Sequence, residues 1–279
     1  MDVLTELMKR ELKGAMFEVE DLANIVFPDA ELPFPIMDTL LDAIQFKVPK
    51  RRKEALLAKW LNNITEALAK QTKLAALRKW DTSLKNNFTK GSNIDCKPDI
   101  ILLDANYTAP SGNKPSWKVV HAYAEVTTQQ TQYRLTNTTY QKSFAVFETQ
   151  LSRKFILSLT FNYRFVTFYA CDLAGVVHTK SLPINGCKKV LLRLVAGFAF
   201  GEEYLLGYDP MMKCRDDEII TISVNGEEYT IVEKLFSSFA MRGCVTQCWH
   251  VRKGDQHFFL KDSWIDTNQQ LSEIMVICL

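Results

Sequence analysis

The sequence has few of the residues that interrupt regular structure. Its 279 residues include only 11 glycines and 9 prolines, which excludes collagen-like and low-complexity chains. It contains no run of about 18 apolar residues, so no membrane-spanning helix is predicted. The first residues alternate charged and apolar side chains, unlike the continuous apolar core of a signal peptide. We therefore expect an intracellular protein without a membrane partner.

The sequence also has no large excess of charge of either sign. Lysine and arginine number 34 and acidic residues number 32, so the whole molecule has no strong field for nucleic acid or anionic lipid. One local exception is the basic cluster Lys50–Lys53, which follows Pro49. It is read either as a nuclear import signal or phosphate contact, or as the solvated start of a helix. A cytoplasmic or nuclear location is expected.

The cysteines and histidines do not form a recognisable ligand set. The seven cysteines are scattered, and the closest pair, Cys244 and Cys248, has no second pair or histidine at metal-ligand spacing. We expect reduced thiols. None of the four histidines has a nucleophile spaced to pair with it, so each is expected to be packed or exposed rather than catalytic.

Apolar residues are plentiful, at 47% of the chain, and their spacing divides it into regions. Residues 1–80 are predicted to be helical, most clearly from Glu54 to Trp80, where apolar residues recur at steps of three and four. From about residue 92 the pattern alternates as in strands, first at 100–103 and again at 117–127. A helix is predicted near 140–151, a hairpin over 155–170 and another helix over 188–206.

A second unit is predicted from about residue 213. The dipeptide Asn225-Gly226 lies between two alternating segments and suits a type I′ hairpin turn. Two further strands, 245–251 and 257–261, flank a turn at Gly254, and a helix is predicted over 267–278. The predicted fold class is α+β, with a helical segment at 1–82, an α/β unit at 83–212 and a third unit at 213–279.

Two carboxylates in the central unit suggest a metal site. Asp99 precedes one predicted strand and Glu125 lies on the next. This arrangement resembles the PD-(D/E)XK nucleases, in which such a pair holds Mg²⁺ and a lysine two residues after the glutamate orients water. Thr127 occupies the lysine position, so hydrolysis would need a substitute such as Lys142 on the following helix. The alternative reading makes Asp99 a turn residue and Glu125 a strand-end carboxylate.

The last unit has the layout of a protein kinase N-lobe. A strand, a turn at Gly243, a second strand and a hairpin lead to Lys261, and Glu273 follows. In kinases a glycine-rich loop covers the nucleotide phosphates, and a strand lysine contacts those phosphates and pairs with a helix glutamate. Only Gly243 remains in the loop, where kinases have two or three glycines.

Several strings resemble the fungal-type protein kinase domain family, often called FunK kinases. They are Lys97-Pro98-Asp99 with Glu125, the block 191–210 that ends in Gly-Tyr-Asp-Pro, Arg242-Gly243, residues 248–252, and Leu260-Lys261-Asp262-Ser263-Trp264. The resemblance implies ATP and Mg²⁺ as cofactors, with Gly243, Lys261 and Glu273 at the nucleotide, and ATP-dependent phosphotransfer if a C-lobe completes the fold.

The sequence stops at Leu279, before any His-Arg-Asp or Asp-Phe-Gly segment. We therefore expect a truncated, inactive pseudoenzyme or regulatory module that binds a protein partner through residues 213–279. The alternative is a degenerate, Mg²⁺-dependent nuclease-like protein that binds nucleic acid, with Asp99 and Glu125 at the metal.

Overall fold

Two β-sheets organise the chain in a computed structural model. The structure describes residues 13–49, 53–84, 92, 96–109, 114–127, 132–162, 164–215, 218–237, 246–263 and 275–278. The fold is mixed α and β with few helices, as the α+β prediction requires, and it is compatible with a kinase-like fold. In the described part of the chain, no helix is long and apolar enough to cross a membrane.

The first sheet has eight strands. They are β1 (Met16–Glu18), β2 (Arg78–Asp81), β3 (Ile100–Asp104), β4 (Ala122–Thr127), β5 (Phe155–Asn162), β6 (Phe165–Asp172), β7 (Val176–His178) and β8 (Leu182–Pro183). Their order is β1-β7-β6-β5-β4-β3-β2, with β8 beside β6. The pairs β1/β7 and β4/β5 are parallel, and the other pairs are antiparallel.

Helices cover both faces of this sheet. They are α1 (Leu22–Val26), α2 (Asp38–Ala43), α3 (Glu54–Thr72), α4 (Gln132–Thr149) and α5 (Lys188–Phe200). The α3 and α5 helices share a core with Ile100 and Leu102, whereas α4 packs on the other face with Ile101 and Leu103. Because both faces of β3 are buried, its sequence is continuously apolar instead of alternating.

The second sheet is a six-stranded antiparallel meander. Its strands are β9 (Met212–Arg215), β10 (Glu218–Val224), β11 (Glu227–Ser237), β12 (Thr246–Lys253), β13 (Gln256–Ser263) and β14 (Met275–Cys278). The predicted hairpin is confirmed, because β10 pairs with β11 and Asn225 and Gly226 have φ values of 52° and 79°. A small apolar core lies on one face of this sheet, with Trp249, Val251 and Leu260 at its centre.

The prediction of a largely helical N-terminal segment is wrong in part. The α3 helix ends at Thr72 instead of Trp80, with Lys73 in the left-handed conformation at φ 59°. Residues 78–81 form edge strand β2, in which Trp80 pairs with Leu102. Asn62 of α3 bonds both backbone groups of Trp80, at 2.8 and 2.9 Å. Strand β1 and short α1 and α2 precede α3, so the segment before residue 83 contributes two strands to the first sheet.

Three further elements differ from the prediction. Residues 117–119 form a short 3₁₀ turn before β4, because the Gln150 amide bonds the carbonyl oxygens of Trp117 and Val120 at 2.6 and 2.9 Å. The α5 helix ends at Phe200, and a 3₁₀ turn occupies Glu203–Leu206. Residues 275–278 are a strand paired with β13, not the end of a helix, and 267–274 lie outside the described residues.

Candidate functional site

The two predicted carboxylates meet at one end of the β3/β4 pair. The strands are antiparallel, so the start of β3 lies beside the end of β4. Asp99 accepts a hydrogen bond on Oδ2 from the Val126 backbone N–H at 2.8 Å, and its own N–H donates to Glu125 Oε1 at 3.4 Å. The strand register therefore places the two side chains beside each other.

Lys142 on α4 completes this group. Side chains alternate along β4, so Tyr123 and Glu125 face α4. The Tyr123 hydroxyl lies 2.9 Å from Ser143 Oγ, which helps to hold α4 against the strand. Lys142 Nζ forms an ion pair with Glu125 Oε2, and both side chains are nearly buried, with exposed fractions of 7% and 13%. The lysine named from the sequence as a substitute for Thr127 thus contacts the glutamate.

Burial dominates the electrostatics of Glu125. It raises the pKa of this carboxyl, and the Asp99 charge raises it further, while the Lys142 ammonium opposes both effects. The nearby Lys142 ammonium stabilises the ionised form of Glu125 in a site that is largely excluded from water. Chemically, the group offers two carboxylates that can bind a metal ion. Its ammonium group can donate a proton or bind an anionic oxygen.

The metal-binding capacity of this group is limited to two carboxylates. Among the residues that the structure describes, no three His, Cys, Asp or Glu side chains are gathered as metal ligands would be. Carboxylate oxygens are nonetheless the ligands that Mg²⁺ prefers, and Mg²⁺ usually keeps several waters beside one or two carboxylates. Asp99 and Glu125 are therefore ligands of the type that Mg²⁺ prefers.

Lys261 lies on β13 in the second sheet, where it pairs with Cys248 of β12. Because side chains alternate, Lys261 lies on the face opposite Leu260 and the small apolar core. A hairpin joins β12 to β13, and β12 follows β11 through residues 238–245. Gly243 and Glu273, the other two predicted nucleotide-binding residues, lie outside the described residues.

Sequence reasoning missed a contact between the two sheets. Lys154 and Asp209 form an ion pair at 3.1 Å, and Asp262 on β13 lies close enough for Asp209 to affect it electrostatically. Burial raises the pKa of Asp262, and Asp209 adds to the rise. The Gln247 amide, across from Asp262 in the strand register, donates to the Leu151 carbonyl at 3.3 Å. The neighbour of Lys261 is therefore held against the first sheet.

A second missed cluster lies at the opposite end of β3 and β4. Its centre is His121, whose Nε2 is 2.9 Å from Asp104 Oδ1 and whose Nδ1 is 2.9 Å from the Tyr208 hydroxyl. Burial lowers the pKa of His121, so the neutral ring donates from Nε2 and accepts at Nδ1. The hydrogen bond from His121 lowers the pKa of Asp104.

Arg153 closes this histidine cluster. Its guanidinium carbon lies 4.0 Å from the centroid of the Tyr208 ring, and its Nη2 donates to the His121 carbonyl. Burial lowers the pKa of Arg153. Tyr208 and Asp209 belong to the Gly-Tyr-Asp-Pro string, so that string joins the histidine cluster to the contact between the sheets. Neither contact can be predicted from the spacing of residues, because both depend on residues that are distant along the chain.

The fold and the residue positions define a two-sheet protein with a kinase-like strand and hairpin arrangement at its C-terminal end. A model of the fungal protein kinase family matches residues 97–277, well over half of the chain. The chain therefore belongs to the fungal protein kinase family, as the sequence strings predicted. Searches of curated proteins and of solved structures return no match.

Proposed function

We propose that this kinase-like protein binds the phosphates of a nucleotide at the Lys261 face of its second sheet. The observation that supports the proposal most directly is the position of Lys261. It lies on β13, which a hairpin joins to β12, on the face opposite the small apolar core. A strand lysine in this position contacts the α- and β-phosphates in protein kinases.

ATP with Mg²⁺ is the ligand that membership of the family suggests. The Lys261 ammonium would supply a positive charge to the phosphates, and Gly243 would lie over them. Glu273 would orient the lysine. In kinases the base and the metal ligands for phosphoryl transfer lie on the catalytic-loop and Asp-Phe-Gly segments. We propose nucleotide binding for residues 213–279, as in a pseudoenzyme or regulatory module.

Thermal denaturation with and without ATP and Mg²⁺ tests this proposal. A ligand that binds only the folded state at 100 times its dissociation constant stabilises by about 2.7 kcal/mol, so the melting temperature should rise measurably. The rise should disappear in Lys261→Met. Lys234→Met is the matched control, because it removes an exposed lysine from β11, which lies two strands from β13 in the same sheet. An equal rise in wild type and Lys261→Met would refute the role of Lys261.

A protein partner is proposed for the same unit. Val232, Leu235 and Phe236 on β11 are exposed by 50%, 47% and 54%. Large exposed apolar side chains along one strand favour association with another protein. Light scattering should detect the association with a candidate partner, and Phe236→Ser should weaken it. If the purified protein binds equally well with Phe236→Ser, this strand is not the contact.

A second candidate function is metal-dependent cleavage of phosphodiesters at the first sheet. The observation that favours it is the convergence of Asp99, Glu125 and Lys142. The order of elements also suits a PD-(D/E)XK unit: α3 is followed by the antiparallel strands β2, β3 and β4, then by α4 and by β5 parallel to β4. Asp99 and Glu125 would hold Mg²⁺, which would supply Lewis acidity, while Lys142 would hold the attacking water.

Cleavage of DNA and RNA with Mg²⁺ or Mn²⁺, together with calorimetric titration of Mn²⁺, tests the second candidate. Asp99→Asn should abolish cleavage and weaken Mn²⁺ binding, because one anionic ligand becomes neutral. Glu66→Gln, an exposed carboxylate on α3, is the matched control and should leave both unchanged. Equal cleavage by wild type and Asp99→Asn would mean that the activity comes from elsewhere.

A further inference from the structure

Two histidine side chains meet on the surface of the second sheet. His250 lies on β12 and His257 on β13, on either side of the turn at Gly254. Their rings touch, with His250 Nε2 2.7 Å from His257 Nδ1 and ring centroids 4.9 Å apart. Two imidazole nitrogens therefore already point at one another from adjacent strands.

Strand register explains why the rings meet. His250 is directly across from Phe259, and His257 is two residues from Phe259 on the same strand. Since residues two apart share a face of a strand, the histidines are diagonal neighbours on one face of the sheet. His257 is exposed and His250 is partly exposed, so an ion can reach both rings from solvent.

The separation of the two nitrogens is close to that required for shared coordination of a metal ion. With metal–nitrogen bonds of about 2.0–2.1 Å, two ligands at 90–109° lie about 2.9–3.4 Å apart. The observed 2.7 Å is slightly shorter, so the rings must move apart by a few tenths of an ångström and rotate until both nitrogens face one ion.

We propose that His250 Nε2 and His257 Nδ1 form a binding site for a borderline divalent transition metal such as Zn²⁺, Ni²⁺ or Cu²⁺. Imidazole selects these ions over Mg²⁺ and Ca²⁺, which prefer oxygen ligands. Waters complete the coordination of the ion. The metal links β12 to β13 near their shared turn, and it stabilises the hairpin that carries Lys261.

The charged neighbours of the pair balance each other. Glu233 on β11 is directly across from His250, and Arg252 on β12 is directly across from His257. The carboxylate attracts a cation to the pair and the guanidinium repels it, so the imidazoles decide the affinity. A variant of Arg252 should therefore change the metal affinity in the opposite direction from a variant of either histidine. Removal of the Arg252 charge should tighten metal binding, whereas loss of either ring should weaken it.

Isothermal titration of the metal-free full chain with ZnCl₂ and NiCl₂ tests the site, with MgCl₂ as the ion that should not bind there. We expect one equivalent of Zn²⁺ per chain. His250→Asn or His257→Asn should each weaken binding at least about tenfold, which corresponds to about 1.4 kcal/mol. The double variant should bind no more tightly than either single variant, because it lacks both imidazoles.

Arg252→Gln serves as the matched control for a change on the same face. It should bind Zn²⁺ as tightly as the wild type or more tightly. Electron paramagnetic resonance of Cu²⁺ gives a second readout, with nitrogen hyperfine structure that both histidine variants lose. The site is refuted if both variants keep wild-type Zn²⁺ affinity, or if Arg252→Gln weakens binding as much as they do. Metal-free melting temperatures establish that each variant is folded.

Discussion

Replacement of Lys142 by methionine should lower the free energy of unfolding, because Glu125 loses its ion-pair partner. Methionine preserves most of the aliphatic stem, so the chief loss is the ammonium group. Removal of one partner from a buried ion pair costs about 3–5 kcal/mol. Glu125 keeps 13% exposure and its contact with the Asp99 N–H, so we expect a loss near the lower end, about 3 kcal/mol. For a chain of this size, that lowers the melting temperature by roughly 6–12 °C.

The pH dependence of this loss has a defined sign. Burial raises the pKa of Glu125 in the folded protein, so the folded state binds a proton more tightly than the unfolded state. Its contribution to stability therefore falls as pH rises from the unfolded pKa through the folded one. Lys142→Met removes the cation that opposes this rise in the pKa. The deficit of the variant should be largest near neutral pH and should shrink as acid protonates Glu125.

Urea unfolding near pH 7 and near pH 5 measures the effect, with Glu125→Gln and the double variant completing a cycle. The double variant should lose less than the sum of the two single variants, because it leaves no buried charge unpaired, whereas each single variant leaves one. A Lys142→Met loss below about 1 kcal/mol at neutral pH, typical of a solvated pair, would refute the reasoning. So would a loss that does not change with pH.

Substitutions at three further positions test local features. Gly207→Ala should cost at least about 3 kcal/mol in thermal unfolding, since φ is +98° and a Cβ would lie 2.0 Å from the Phe155 carbonyl oxygen; a neutral result would contradict this packing. Asn225→Ala should cost about 1 kcal/mol and Asn225→Gly much less, and equal losses would exclude the turn conformation as the cause. Tyr208→Phe should cost about 1 kcal/mol by removing the hydroxyl from His121; an unchanged urea midpoint would mean that water replaces this bond.

Local chemistry predicted the elements whose signals are local. Asn225-Gly226 specified its turn because only residues tolerant of positive φ fit there. The strands flanking Asn162 were predicted from β-branched and aromatic residues, and they pair as a hairpin. The α4 helix was predicted from the spacing of Tyr140, Phe144 and Phe147, which face the sheet or its neighbours.

Tertiary contacts decided the rest of the fold. Residues 73–80 contain no glycine or proline and favour a helix by propensity, yet strand pairing with β3 and the two bonds from Asn62 override it. Similarly, the β-prone residues 275–278 form an added strand on β13. Such contacts join residues that are far apart in sequence, so spacing alone gives no sign of them.

The candidate site divides in the same way. Asp99 and Glu125 could be named from the sequence because their positions on neighbouring predicted strands resemble those of the PD-(D/E)XK nucleases, and Lys142 because a helix was expected to follow. Their convergence is visible in the structure. The contacts of His121 with Tyr208 and of Asp209 with Lys154 could not be predicted, because they join segments more than fifty residues apart. The roles of Gly243, Lys261 and Glu273 stay predictions.

The two sheets differ in the order in which their strands can assemble. Every neighbouring pair of described strands in the second sheet is consecutive in the chain, so each pairing costs little entropy. Strand β1 instead pairs with β7, and Met16 aligns with Val176 about 160 residues later. During synthesis the first strand leaves the ribosome long before its partner exists. The β1 edge of the first sheet therefore forms late, because it pairs residues that are distant along the chain. The second sheet can form one strand pair at a time, in chain order.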